Sequence, residues 1–182
     1  GSRRLSTQKV VFTLICAQGD RLPNLYTAKN HKYQLFATRL SRDINHYAHP
    51  GNRFWRVLHA ASITDRLYAP DEDEKLLDLG IGFTNLCARP TRRADELTRE
   101  EIQAGSCQLR AKLERLRPIA VAYTGIGVYK WFRATTKVEW GVQLDPAVTG
   151  VTDVVVPSPS GLNRMRFEEL VAHYRQLTPF VC

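Results

Sequence analysis

The sequence predicts an α/β protein: a three-layer α/β/α sandwich on a central, mainly parallel sheet. Three observations lead there. The runs Lys9 to Cys16, Ile119 to Tyr123 and Thr152 to Val156 have the length and the β-branched, apolar composition of buried strands. Between and after them, apolar residues recur at helical spacing, most clearly after Thr98 and after Phe167. Buried strands that alternate with amphipathic helices are the pattern of a parallel sheet covered on both faces.

In chain order, Lys9 to Cys16 is the first strand, since five of its eight residues are Val, Phe, Leu or Ile. Ala17 to Asn45 mixes turn signals at Gly19-Asp20 and Leu22-Pro23-Asn24 with a short helix near Tyr33 to Leu40. Arg53 to Ala61 reads as a helix, with Trp55 as a core residue. The acids that follow Asp71 suit the positive end of a further short helix. Consecutive carboxylates point in different directions on a helix, so they form a solvated face and no metal site. Gly80 to Asn85 reads as a glycine-punctuated passage into an irregular segment ending at Pro90-Thr91. Thr98 and Glu101 form a capping box that opens a helix to about Arg115, with Ile102, Leu109 and Leu113 inward. After the strand Ile119 to Tyr123, Thr124-Gly125-Ile126-Gly127 turns the chain into a helix from Val128 to Phe132. Trp140 to Leu144 is a short strand, and Thr152 to Val156 is the last. The closing helix, Phe167 to Leu177, puts Leu170, Val171, Tyr174 and Leu177 on one face.

Composition narrows the class. A chain of 182 residues with 43% apolar and 24% charged residues is expected to form one domain over residues 1–182. Lys and Arg number 26 against 18 Asp and Glu, and the net charge of +8 favours a polyanionic partner such as nucleic acid. The four cysteines, Cys16, Cys87, Cys107 and Cys182, include no Cys-x-x-Cys pair, which argues against a zinc ribbon or an iron-sulfur cluster. No apolar run spans a bilayer and no signal-peptide layout is present, so no membrane partner is expected. The expected location is the cytoplasm, beside the nucleoid, in a prokaryote, or the nucleus in a eukaryote.

Two stretches carry the chemistry. Pro157-Ser158-Pro159-Ser160-Gly161-Leu162-Asn163-Arg164 follows the run Val154-Val155-Val156, which places a loop at the carboxyl end of a buried strand, where open α/β sheets hold ligands. Two prolines stiffen it, Gly161 lets it bend, and Leu162 falls near the tip between polar, phosphate-seeking neighbours. That is the layout of an apolar wedge that enters a duplex; the other reading folds Leu162 inward as an ordinary turn residue. The second stretch, Tyr47 to Trp55, opens a short helix. Asn52 is there a helix cap or a pocket wall, and Tyr47 is a buried core tyrosine or a ring on which a base stacks.

Taken together, these two stretches, with Gly80-Ile81-Gly82-Phe83-Thr84-Asn85 and Arg89-Pro90-Thr91 in order, resemble the mismatch-specific uracil-DNA glycosylase and thymine-DNA glycosylase family. The resemblance runs from about His46 to Leu177 and matches residues 1–45 poorly. It implies a uracil-DNA glycosylase-like sandwich acting as a monomer on double-stranded DNA with G·U or G·T mismatches, without metal or organic cofactor. A base is extruded, and its N-glycosidic bond is hydrolysed through an oxocarbenium-like sugar and a departing pyrimidine anion. On this reading Leu162 fills the vacated stack, and Asn163 and Arg164 meet the partner strand or phosphates. Ser158, Ser160 and Gly161 lie along the flipped nucleotide, and Thr124 and Gly125 form a phosphate-contacting turn. Tyr47 stacks on the base, His46 and Asn52 line the pocket, and Thr91 supports Asn85.

The family also places a Gly-Ile-Asn-Pro-Gly type motif directly after its first strand, whose asparagine orients the attacking water. This chain has none there. Asn85 is then the first candidate for that role, followed by Asp43 and Asn45, which precede Tyr47. A non-catalytic relative that binds mismatches or lesions is the alternative the missing motif leaves open.

Overall fold

The computed structural model describes residues 12–16, by their backbone alone, together with 47–87 and 96–181. The expected helix near Tyr33 to Leu40 and the candidates Asp43, Asn45, His46 and Thr91 lie outside the described residues.

The elements are β1 (Phe12–Cys16), α1 (Phe54–Ala60), a 3₁₀ helix (Pro70–Leu79), β2 (Ile81–Asn85), α2 (Arg99–Leu116), β3 (Ala120–Thr124), α3 (Ile126–Arg133), β4 (Gly141–Val142), β5 (Thr152–Val156), α4 (Phe167–Arg175) and a closing 3₁₀ turn (Thr178–Phe180). The strands form one sheet in the order β2-β1-β3-β5-β4. Among the described strands only the β3–β5 pairing is parallel; β1 is antiparallel to both β2 and β3, and β4 is antiparallel to β5. The sheet is therefore mixed, which corrects the expectation of a mainly parallel one. An apolar run marks a buried strand equally well in either direction; the connections set the direction, and they carry no hydrophobic signature.

A second correction concerns Ile81–Asn85, expected as part of a glycine-punctuated passage into an irregular segment and not as a strand. It pairs residue for residue with β1, from Cys16 opposite Ile81 to Phe12 opposite Asn85. The punctuation comes from Gly80, whose φ of 71° ends the 3₁₀ helix. Gly82 sits inside the strand while Ile81 and Phe83 are buried beside it.

Side-chain alternation on β3 and β5 divides the core between two faces. Ala120, Ala122, Val154 and Val156 pack with Phe54, Leu58, Leu170 and Tyr174, which puts α1 and α4 on one face. Val121, Tyr123 and Val155 pack with Leu109, Leu113, Val128 and Phe132, which puts α2 and α3 on the other. The expected capping box is present: the Glu101 N–H donates to Thr98 Oγ1 at 3.2 Å, and the Thr98 N–H donates to Glu101 Oε2 at 2.8 Å. In the same helix Gly105 lies against the backbone just after β2, where a β carbon would overlap the Leu86 carbonyl oxygen. An interior helix glycine costs roughly 1 kcal/mol relative to alanine. Here that cost is offset by the close approach of α2 to the chain leaving Asn85.

The α2/α3 face also buries Asp153. Its carboxylate accepts from Tyr123 Oη at 3.1 Å, Tyr129 Oη at 3.0 Å and the Ala147 N–H at 2.6 Å. A buried carboxylate needs such donors, and these tie α3 and the segment before β5 to the sheet.

Candidate functional site

Strand direction and side-chain parity bring the site together. Asn85 ends β2, Thr124 ends β3 opposite Val156, and Val156 ends β5. Because β1 is antiparallel to both β2 and β3, Asn85 and Thr124 lie at the same end of the sheet, where the loop after Val156 begins. Asn85 shares a strand face with Ile81 and Phe83, and Thr124 shares one with Ala120 and Ala122, all on the α1/α4 side. Both polar side chains therefore sit at one end of the sheet on one face of it.

Tyr47 closes that corner. Its ring stacks on Phe54, with centroids 3.9 Å apart and planes 16° apart, and Phe54 in turn meets Phe83 edge-on at 5.7 Å. Burial pushes the Tyr47 phenol well above its ordinary pKa, and a hydrogen bond with the Thr124 side chain offsets part of the rise. The backbone at Tyr47 is left-handed, with φ at 56°. For a bulky residue that conformation costs about 1 to 3 kcal/mol and is typical of functional sites. Asn85 Oδ1 is buried and has no hydrogen-bond donor among the described residues. A buried acceptor in that state calls for a ligand or water to complete it.

The loop after β5 lies against the Tyr47 stretch. Arg53, the residue before α1, donates its backbone N–H to the Pro159 carbonyl at 3.0 Å. Its guanidinium donates to the carbonyls of Met165 at 2.7 Å, Asn163 at 2.8 Å and Ser160 at 3.3 Å. Leu162 stands outward at the tip, 75% exposed, so the inward-folded reading does not hold.

This corner brings an exposed apolar loop tip together with a buried aromatic ring, an unmet amide oxygen and a threonine side chain bonded to the hydroxyl of that ring. Residues 34–180, most of the chain, match the Uracil DNA glycosylase superfamily. The chain belongs to that superfamily. Its members are DNA glycosylases, hydrolases of base-excision repair that act on DNA, and the family fold is α/β.

Within this superfamily member the remaining candidates divide by what their polar atoms already do. Asn52 Oδ1 accepts the Phe54 N–H at 2.9 Å, the capping half of the two roles expected for it. Asn163 is bonded inside its own loop at both ends of its carboxamide, donating to the Ser158 carbonyl at 2.8 Å and accepting from the Met165 N–H at 3.0 Å. The Ser160 N–H donates to Ser158 Oγ at 3.4 Å and the Leu162 N–H to Ser160 Oγ at 3.3 Å. Each hydroxyl accepts here, and its own proton is the part suited to an anionic oxygen. Gly125, with φ at 126°, precedes α3 in a conformation that favours glycine. Arg164 is exposed at the loop. Among the described residues, no group of three His, Cys, Asp or Glu side chains is placed to share a metal ion.

Sequence reasoning missed Arg53, read only as the first residue of the helix Arg53 to Ala61. Its guanidinium holds loop carbonyls. The available signal was an arginine just ahead of a buried helical face, combined with a distant loop whose two prolines supply no N–H.

Proposed function

We propose that the chain is a mismatch-directed DNA glycosylase. It extrudes uracil, and thymine or a related damaged pyrimidine, from G·U or G·T pairs in duplex DNA and hydrolyses the N-glycosidic bond. The observation that carries this reading is Leu162, a large apolar side chain held in water at the tip of a loop braced against the Tyr47 turn. Burying a leucine contributes about 1.5 to 3 kcal/mol. Extruding a base costs roughly a few kcal/mol, least at a mismatch. The two terms are comparable, so a leucine filling the vacated stack tips the balance where pairing is already weak.

On this reading Tyr47 offers a ring to the extruded base, and the Asn85 amide can both accept from and donate to a uracil edge. The departing pyrimidine gains negative charge, and donors aimed at it lower the barrier. Ser158, Ser160 and the Thr124-Gly125 turn face the sugar and phosphates on this reading, and Arg164 adds a positive charge.

The second reading is a non-catalytic mismatch binder. It is favoured by the missing Gly-Ile-Asn-Pro-Gly type motif and by the direction of β1, whose last residue, Cys16, is at the end of the sheet away from Asn85. Incubation with a duplex holding one G·U pair, followed by alkali, separates the two. Strand breakage at the uracil supports the glycosylase; a shifted band without breakage supports the binder.

A further inference from the structure

The loop after β5 has a supply problem that begins in its sequence. Pro157 and Pro159 contribute no N–H, so the carbonyls of this turn cannot all be met from within it. Asn163 supplies two donors, its side chain to the Ser158 carbonyl at 2.8 Å and its backbone N–H to the Ser160 carbonyl at 2.9 Å. The carbonyls of Pro159, Ser160, Asn163 and Met165 all receive donors from one residue, Arg53. These four acceptors bracket Leu162 on both sides. Among the described residues, no carboxylate pairs with the Arg53 guanidinium, so no acid competes for these donors.

Arg53 also sits between the two halves of the site. It follows Asn52 and the Tyr47 turn directly and precedes Phe54, the ring on which Tyr47 stacks. One residue thus fixes the loop that carries Leu162 relative to the Tyr47 turn. Lysine cannot replace it, because a single ammonium on a flexible stem does not present a planar fork to three separated carbonyls.

We propose that Arg53 is a positioning residue that sets the height and direction of Leu162 by clamping the backbone of loop 159–165, touching neither base nor phosphate itself. This rests on reading Leu162 as a duplex-entering wedge. The clamp itself does not depend on that reading, and the two are tested separately.

Hydrogen exchange of the folded protein tests the clamp. In Arg53→Lys, the loop amides of Leu162, Asn163 and Met165 should exchange roughly tenfold faster or more, the scale of losing a hydrogen bond to a charged donor. Amides of β3 and β5 should be unchanged. In Arg53→Ala, methylguanidinium should restore loop protection where methylammonium does not. Unchanged loop exchange, or acceleration spread evenly over the sheet, overturns the clamp.

Single-turnover cleavage tests what the clamp serves. Arg53→Lys should lose activity on a G·U duplex and keep it on single-stranded uracil DNA. Adding Arg53→Lys to Leu162→Ala should cause little further loss on the duplex. Equal losses on both substrates, or fully additive losses, overturn the positioning role. Loop exchange that responds as expected in a protein that cleaves neither substrate leaves the clamp standing and removes the glycosylase reading.

Discussion

Gly161 and Gly51 meet backbone to backbone: a β carbon built on Gly161 would lie 2.5 Å from the Gly51 carbonyl oxygen. The contact joins the loop that carries Leu162 to the turn that carries Tyr47, alongside the hydrogen bonds of Arg53. Gly161 has no left-handed φ, so close approach is what requires glycine there, and not a sharp bend. Gly161→Ala should therefore push the two segments apart. Overpacking of this kind costs about 1 to 3 kcal/mol, seen as a lower urea midpoint with an unchanged slope. Cleavage of a G·U duplex should fall further than stability alone explains. A variant as stable and as active as the parent would show that the segments part easily.

Leu162→Ala should behave in the opposite way. The side chain is 75% exposed, so its removal should change stability by less than about 0.5 kcal/mol. Its loss should weaken processing of the G·U duplex while leaving single-stranded uracil DNA almost unaffected, because a single strand has no stack to hold open. Equal loss on both substrates would make Leu162 a general binding residue.

Much of this arrangement was legible in the sequence, and the reasons differ from element to element. The strands Ala120–Thr124 and Thr152–Val156 and the face of α4 announced themselves because apolar periodicity is local. Thr98 and Glu101 announced a helix start because the capping box closes within four residues. β2 was not legible, since its glycine at position 82 reads as a turn while its partner is β1, far away in sequence. The direction of β1 and the role of Arg53 share that cause. Arg53 meets acceptors more than a hundred residues away, and spacing within a motif says nothing of such partners.

Binding to duplex DNA should be steeply salt-dependent, because a chain of net charge +8 releases counterions as it neutralises phosphates. Arg53 is occupied by carbonyls and should contribute little to the slope. Arg164 is exposed at the loop, and Arg164→Gln should reduce the slope of log affinity against log salt by about 0.9. An unchanged slope would place Arg164 away from the phosphates.

Asp153 yields a pH dependence of opposite sign to that of most acids. Burial raises its pKa, and the donors from Ala147, Tyr129 and Tyr123 only partly offset this. The folded state then binds the proton more tightly than the unfolded chain, whose carboxyl titrates near about 3.9. Its contribution to stability falls as pH rises from that value through the raised one, and is constant above it. Asp153→Asn removes the titration and sets an amide N–H₂ or its oxygen against a mixed set of donors, costing about 1 to 3 kcal/mol. The stability gap between the parent and the variant should narrow as pH rises through that window. A gap that widens would mean the three donors outweigh burial.

The group that positions water is the sharpest question, because the usual asparagine after the first strand is absent. The structure adds a physical reason to rank Asn85 first: its Oδ1 is buried at the strand-end corner with no donor among the described residues, on the same face as Thr124. An amide there can hold water or a pyrimidine edge without placing negative charge beside the departing base. Asp43 would be the stronger general base, and Asn45 precedes Tyr47 closely; both lie outside the described residues. Alanine substitution of each, followed by single-turnover cleavage of G·U DNA, tests the order. Asn85→Ala should lose at least about a hundredfold in rate, the scale of general-base or electrostatic catalysis by one group. Duplex binding should be retained, because Leu162 and the loop are untouched. A near-full rate in Asn85→Ala, with loss in Asp43→Ala or Asn45→Ala at intact binding, would move the water to the segment before Tyr47 and leave Asn85 as a partner of the base alone.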